Sequence, residues 1–408
     1  MLNRIWTFFF LGACVAAVGR TIAGRTGVWA DMVGASFDMA KTGFEIALGL
    51  TGVMCLWLGI MRIGERGGAV EFLARLFGPL LRRLFPGIPA GHPASGSIVM
   101  NMAANMLGLD NAATPLGLKA MREMQELNPD KDTASDDMIL FLVINTSAVT
   151  LIPVTIFTYR AQLGAADPTD VFLPILIATW CSTMAGIVIT SFFQRIRLRD
   201  PVIAGWLLGL SAAMVGLVAW LSSLDRAVLE ARSAVAANAI IFGVIIAFMA
   251  GGIRRRIDLY DAFVEGAKDG FKVAVGIIPY LVAMLVAIGV FRASGALDLV
   301  LDGLRAAIGA AGLDTRWVDG LPTAFMKPLS GSGARGLMLE TMTAHGADSF
   351  AGRLVSVIQG STETTFYVLA VYFGAVGIRR TRHAVLCGLT ADLAGITAAI
   401  LVSYLFWG

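Results

Sequence analysis

AKTGFEIALGL at residues 40–50 and AKDGFKVAVGI at residues 267–277 are two versions of one sequence. They share Ala-Lys-x-Gly-Phe and, three residues later, Ala-x-Gly. A match of this kind at a wide separation indicates an internal repeat. Each stretch also opens an apolar run, so the repeated unit is expected to contain membrane helices. The sequence therefore predicts a fold of two related halves.

Two further matches keep the same order along the chain. NTSAVT at residues 145–150 lies over GSTETT at 360–365, and STMAGI at 182–187 lies over ADLAGI at 391–396. The apolar run at 202–222 has no counterpart. We therefore divide the chain into a first repeat at residues 1–198, a linking transmembrane helix within 199–226, and a second repeat at 227–408.

The composition requires a lipid environment. Hydrophobic residues form 57% of the 408 and charged residues only 15%, and the mean hydropathy is +0.74. A water-soluble surface needs more charge than this. The prediction is an all-α polytopic membrane protein with about nine transmembrane helices plus two re-entrant helical hairpins in an inverted repeat. The nine apolar runs are 6–24, 44–61, 138–158, 171–193, 202–222, 234–252, 273–291, 354–376 and 384–405.

Basic residues give the orientation. Short loops that contain clustered arginines are retained on the cytoplasmic side of a bacterial inner (plasma) membrane. Four such clusters face inward together if the N-terminus is cytoplasmic, the C-terminus is outside, and residues 94–124 and 321–342 do not cross. Both of these segments are broken by Gly, Pro, Asn and Ser, which is typical of re-entrant hairpins. The single linking helix then inverts the second repeat.

Inverted repeats with broken helices are typical of secondary transporters. We expect the breaks to meet near the midplane and to form a site for a small polar solute, coupled to Na⁺ or H⁺ or running downhill. The other expected partner is the lipid bilayer, and a homo-oligomer stays open. No nucleic-acid partner is expected, because membrane topology already explains the clusters of basic residues. Neither a cofactor nor a metal is expected.

Glu363 and Asp392 are the candidate ion-coupling residues. An acid inside an apolar span is costly, and such acids commonly mark ion or solute pathways. Asp392 has Thr183 as its repeat counterpart, so that acid belongs to one half only. The alternative is a structural carboxylate held by hydroxyls or, for Glu363, by its candidate charge partner Lys327.

Amide and hydroxyl side chains are expected to line the site because they donate and accept hydrogen bonds without adding charge. The alternative is ordinary hydrogen bonding between membrane helices. The candidate substrate-binding residues are Asn101, Asn105, Asn111, Thr114, Asn145, Thr146, Ser147, Ser330, Ser332, Ser361, Thr362, Glu363 and Thr364.

Four stretches carry a family resemblance: residues 101–121 (NMAANMLGLDNAATPLGLKAM), 145–153 (NTSAVTLIP), 328–333 (PLSGSG) and 359–380 (QGSTETTFYVLAVYFGAVGIRR). The first half resembles spore maturation protein A and the second resembles spore maturation protein B, fused in one chain. That family carries the nucleoside recognition, or Gate, domain. The resemblance implies a membrane protein of transporter-like build and, for the sporulation members, a part in dehydrating the spore core.

Two other classes of function stay open. A non-transporting membrane scaffold or regulator of envelope or spore maturation would keep this fold without needing buried acids. An intramembrane enzyme is the third class, but the sequence has no HExxH, GxGD, GxSxG or Walker A motif and only three histidines. We therefore expect no enzymatic activity and no catalytic residues.

Overall fold

The chain is an all-α, multi-pass membrane protein. A computed structural model describes residues 2–89, 91–107, 110–147, 150, 153–224 and 226–408. Eight α-helices precede the linking helix in this described part of the chain. They are α1 (Leu2–Ile22), α2 (Val28–Gly67), α3 (Ala69–Leu84), α4 (Pro93–Met106), α5 (Asp110–Leu127), α6 (Asp136–Ser147), α7 (Val154–Gln162) and α8 (Phe172–Gln194).

The linking helix α9 spans Pro201–Ser222, and eight α-helices follow it within the same described residues. They are α10 (Arg226–Arg254), α11 (Leu259–Ala293), α12 (Ala296–Ala310), α13 (Leu321–Met326), α14 (Gly331–His345), α15 (Phe350–Ser361), α16 (Thr365–Ala375) and α17 (Ala384–Trp407). A short 3₁₀ helix at Arg316–Gly320 precedes α13. The described helices thus follow the same order on both sides of α9.

The two long helices α2 and α11 pack against each other in antiparallel orientation along their length. A Cβ built on Gly43 would lie 3.2 Å from the Val282 Cα, and one built on Gly270 would lie 2.8 Å from the Cys55 Cα. Val282 follows Gly270 by as many residues as Cys55 follows Gly43. The two contacts are therefore images of each other, as an inverted repeat requires.

A second antiparallel pair, α8 and α17, follows the same rule. A Cβ on Gly186 would lie 3.3 Å from the Ala391 Cβ, and one on Gly395 would lie 2.9 Å from the Ser182 Cβ. The Ser182 hydroxyl also donates to the Ala391 carbonyl at 2.9 Å. Ser182 and Ala391 are the residues that open the third sequence match, so this match corresponds to a shared position in space.

Each long helix ends in a glycine that turns the chain into an amphipathic helix. Gly68 has φ 93° and leads from α2 into α3, and Gly295 has φ 74° and leads from α11 into α12. This left-handed conformation is open to glycine at low cost. The first helix of each half packs on the long helix of the other half: α1 packs on α11, and α10 packs on α2.

Six helices are long and apolar enough to cross a membrane, judged within the described residues: α2, α8, α9, α10, α11 and α17. Two runs predicted to be single spans are interrupted. Residues 138–158 divide between α6 and α7, and residues 354–376 divide between α15 and α16. The reason is local: Pro153 lacks the N–H that a continuous helix needs, and the backbones of Thr362 and Thr364 are extended.

The two segments predicted to be hairpins are each divided into two helices. α4 and α5 pack against each other across a short connection, and α13 and α14 do the same. Among the described helices there are therefore four interruptions: α4–α5, α6–α7, α13–α14 and α15–α16.

Hydrogen bonds also join the two halves on both sides of the α6–α7 interruption. At one end, the buried Arg160 guanidinium donates to the Ala347 carbonyl at 2.7 Å, to Asp170 at 2.9 Å and to Asp348 at 3.0 Å. At the other end, the backbone N–H of Arg380 donates to the Asp132 carbonyl at 2.9 Å. The α14–α15 connection thus binds the end of α7, and the α16–α17 connection binds the loop before α6.

Candidate functional site

A cavity of about 350 Å³ lies where the four interruptions converge. Residues of both halves line it. Those of the first half are Asn105, Ala113, Thr114, Asn145, Thr150, Pro153, Val154, Thr155, Ile156 and Tyr159. Those of the second half are Lys327, Gly331, Arg335, Met338, Gln359, Gly360, Glu363, Tyr367, Val368, Val371 and Tyr372.

Four helix N-termini contribute to this lining. Thr114, Val154, Gly331 and Tyr367 lie within the first five residues of α5, α7, α14 and α16. The first N–H groups of a helix have no partner inside the helix and carry a partial positive charge. Such ends favour an anionic or polar group, which matches the expectation from the sequence.

The first half supplies amides to the cavity. Asn105 Nδ2 donates to Asn145 Oδ1 at 2.7 Å and to Asn101 Oδ1 at 3.3 Å. Asn101 lies behind this pair, fully buried, and donates to the Ala113 carbonyl at 2.7 Å. The amides therefore join the first hairpin to α6, and Asn101 supports the site without lining it.

The second half supplies the charges. Lys327 is buried at the α13–α14 interruption, and the Arg335 guanidinium lies 5.7 Å from the centre of the Tyr159 ring. Glu363 is exposed and lines the same cavity. The carboxylate expected inside an apolar span is thus open to the cavity rather than packed in the core, which removes most of the cost of its charge.

The α6–α7 and α15–α16 interruptions, here called the central interruptions, are hydrogen-bonded to each other, and the second of them is also bonded to the α13–α14 connection. The backbone N–H of Glu363 donates to the Thr146 carbonyl at 2.7 Å, across the two halves. The N–H of Phe366 donates to the Pro328 carbonyl at 3.0 Å. These bonds satisfy backbone groups that the interrupted helices would otherwise leave unpaired in an apolar environment.

Asp392 stands directly behind the α15–α16 interruption. Its carboxylate is buried and accepts a hydrogen bond from the Thr365 hydroxyl at 2.6 Å. It also interacts electrostatically with Lys327 and Glu363. The charges of Glu363, Asp392 and Lys327 are therefore close enough to interact. Asp392 does not line the cavity, whereas Glu363 and Lys327 do.

Several other predicted residues sit at the interruptions without lining the cavity. The Thr146, Ser147 and Ser361 hydroxyls donate to carbonyls of their own helices. Ser330 accepts from the Gly333 N–H at 3.1 Å and caps α14, with Ser332 beside it. Thr362 and Thr364 are buried in the α15–α16 interruption. The side chain of Asn111 lies outside the described residues.

Seven lining residues with polar side chains were not among the candidates: Thr150, Thr155, Tyr159, Arg335, Gln359, Tyr367 and Tyr372. Gln359 is nine-tenths buried, and its Oε1 has no hydrogen-bond partner among the described residues, so it is a free acceptor. Its place just before GSTETT could have suggested it. Tyr367 and Tyr372 gave no comparable signal, because they occur in an apolar run.

Comparisons with known proteins agree with this arrangement. The family model described as Gate, nucleoside recognition, matches residues 47–162 and 274–379, together more than half of the chain. The two matches begin as far apart as Lys41 and Lys268, the repeat pair seen in the sequence.

Two relatives come from Bacillus subtilis. Spore maturation protein A is 40% identical over 197 residues, 48% of this chain and 97% of that protein. Spore maturation protein B is 50% identical over 157 residues, 38% of this chain and 86% of that protein. With its two matched segments meeting around one polar cavity, the chain belongs to the Gate, nucleoside recognition, family of membrane proteins.

Proposed function

We propose that this protein is a secondary transporter of a small polar solute. The observation that carries the proposal is the cavity at the four interruptions, which both halves line with polar groups. Inverted halves around broken helices allow two similar packings that open to opposite sides. A non-transporting scaffold has no need for a polar cavity of this kind.

The cavity chemistry narrows the solute class. Lys327, Arg335 and four helix N-termini suit an anionic group, while Glu363 suits a cationic or hydrogen-bond-donating group. Tyrosine rings supply apolar surface beside them. Nucleosides are the first class to test, because the family description names nucleoside recognition. Amino acids, metal ions and cell-wall precursors follow.

Coupling is assigned to the acids. We propose Glu363 as the group that meets the solute or the coupling ion, Na⁺ or H⁺, and Asp392 as the buried carboxylate behind it. The remaining candidate substrate-binding residues stay assigned to the same site. The chain is proposed to act without catalysis, cofactor or nucleic acid.

The proposed topology follows from the arginine clusters: inner membrane, cytoplasmic N-terminus, external C-terminus, nine spans and two re-entrant hairpins. Repeats at 1–198 and 227–408 flank the linking helix within 199–226. Reporter fusions after α9 and after α17 test it, since these two ends are proposed to lie outside. Cytoplasmic signals from both fusions would contradict the inverted second half, and signals from opposite sides would contradict the four spans proposed between them.

The decisive experiment is solute uptake into proteoliposomes, after a thermal-shift screen has found a stabilising ligand. Glu363→Gln is expected to lower uptake by about tenfold or more, since a hydrogen bond to a charged group is worth about 1.5–3 kcal/mol. It should also remove the response to an imposed ion gradient. Glu126→Gln, an exposed acid outside the cavity, is the matched control.

Unchanged uptake in Glu363→Gln would remove its coupling role. If no solute class is stabilising and the wild type shows no uptake, the scaffold or regulator alternative replaces the transporter.

A further inference from the structure

A second, separate groove lies between α2, α3, α8 and α10. Its volume is about 760 Å³, within the range of ligand pockets. Its walls are mostly apolar and include Leu73, Phe172, Val244 and Phe248. None of its lining residues lines the cavity at the interruptions. The groove is therefore a site separate from that cavity.

Glycines bring two of the helices around this groove into close contact. A Cβ on Gly251 would lie 2.9 Å from the Gly67 carbonyl oxygen, so α2 and α10 touch at the level of their backbones. At Gly68 the left-handed turn then directs α3 away from α2. The three helices leave an apolar opening between them that their own side chains do not fill.

One end of the groove is basic. Arg75, Arg254 and Arg255 line it, and Arg75 and Arg254 are exposed. Arg255 donates to Glu71 at 3.2 Å, which leaves an excess of positive charge. This end lies where α2 and α10 finish, so a basic rim adjoins an apolar channel. That combination fits a molecule with an anionic head and an apolar tail.

The corresponding helix of the second half lacks this charge. Asp302 follows Gly295 by as many residues as Arg75 follows Gly68. Two aspartates and one arginine occur in α12, whereas α3 has one glutamate and three arginines. Since α3 and α12 are both amphipathic, amphipathic character alone does not explain the arginines of α3. The basic end of the groove is therefore specific to the first half.

We propose that this groove binds one anionic phospholipid. Its phosphate lies against Arg75 and Arg254, and an acyl chain occupies the channel beside Val244 and Phe248. The anionic head of such a lipid meets the arginines, and its acyl chain meets the apolar walls. The cationic group of a zwitterionic lipid would instead be repelled by the arginines.

The test is native mass spectrometry of the full-length protein from detergent, with added phosphatidylglycerol or phosphatidylcholine of the same acyl chains. The wild type should retain phosphatidylglycerol about 25-fold more strongly, about fivefold from each of the two arginines. Arg75→Gln with Arg254→Gln should weaken this retention by about fivefold per arginine, from the contribution of one basic residue at an anionic surface. Retention of phosphatidylcholine should not change.

Arg82→Gln is the matched control, because Arg82 is exposed on the same helix and does not line the groove. Ala247→Phe is the second variant: it fills the channel from an exposed position and should reduce phosphatidylglycerol retention without removing a charge. If the double variant does not fold, Ala247→Phe decides. Equal retention of both lipids, or an equal loss in Arg82→Gln, would overturn the proposal.

Discussion

The two central interruptions have the same position in the fold but are held by different chemistry. At the first, the Thr179 and Thr183 hydroxyls of α8 donate to the Ser147 carbonyl, at 3.1 and 3.4 Å. At the second, Asp392 of α17 accepts from the Thr365 hydroxyl at 2.6 Å. Asp392 and Thr183 are repeat counterparts.

The difference extends to the cavity. The described lining residues of the first half are uncharged, while Lys327, Arg335 and Glu363 all come from the second half. The glycine contacts of the paired helices, by contrast, are images of each other. The comparison teaches that the repeat preserved the scaffold and divided the chemistry between its copies. The predictions below test this division.

The largest effect is expected where the halves meet at Arg160. Its side chain is fully buried, and Arg160→Met would remove its ion pairs with Asp170 and Asp348. Breaking a buried ion pair costs about 3–5 kcal/mol, and the lower part of this range is expected because Arg353 still pairs with Asp170. Arg382, which pairs with Asp136 at the other end, is 41% exposed, so Arg382→Gln should cost about 0–1 kcal/mol. Unfolding in mixed detergent micelles measures both, and equal costs would show that the two ends do not differ.

Next come the glycine contacts of α2 and α11. Gly43→Leu and Gly270→Leu should each destabilise the protein by about 1–3 kcal/mol, the usual cost of overpacking. Gly270→Leu should cost more, since its Cβ would lie 2.6 Å from the Met54 carbonyl oxygen. Gly276→Leu is the control because no atom lies within 4 Å of its Cβ position. A neutral result at Gly43 and Gly270 would contradict the shared scaffold.

Asp392→Asn should separate function from stability. Removing a buried charge is expected to change the free energy of unfolding little or to raise it. Uptake should fall about tenfold if the carboxylate takes part in coupling. Thr183→Val removes the counterpart hydroxyl and should leave uptake within about twofold of the wild type, because it loses one weak neutral hydrogen bond. Similar losses in both variants would mean that the halves share the coupling role.

The smallest effect is expected in the amide group. Asn105→Ala removes two neutral hydrogen bonds, worth about 0.5–1.5 kcal/mol each. The affinity for the identified solute should fall by about fivefold, measured by calorimetry. Asn238→Ala, at an exposed amide far along the chain, is the control. A loss as large as that in Glu363→Gln would show that the first half carries specificity as strongly as the second.

The sequence was sufficient to predict the scaffold. The repeat at Lys41 and Lys268 and the match at Ser182 and Ala391 correspond to paired positions in the structure, since glycine contacts need conserved backbone spacing. It did not predict that residues 138–158 and 354–376 are interrupted. Mean hydropathy over a span averages out three or four polar residues, so a break in the helix has little effect on it.

The candidate site was predicted in part. Asn105, Thr114, Asn145, Lys327 and Glu363 line the cavity, while Thr146 and Ser147 turn back to their own helix. Polarity marks where a helix is interrupted, but it does not give the direction of each side chain. The lining tyrosines were missed because an aromatic residue in an apolar run is indistinguishable from one facing lipid.

The bond from the Glu363 N–H to the Thr146 carbonyl has a mechanical consequence. Since the Phe366 N–H also holds the Pro328 carbonyl, one short segment is anchored to both a neighbouring hairpin and the opposite repeat. In the proposed transporter, a solute that displaces the Glu363 side chain would therefore also displace α6 and the α13–α14 connection. Loading of the cavity and tilting of the helices around it would then be one concerted movement.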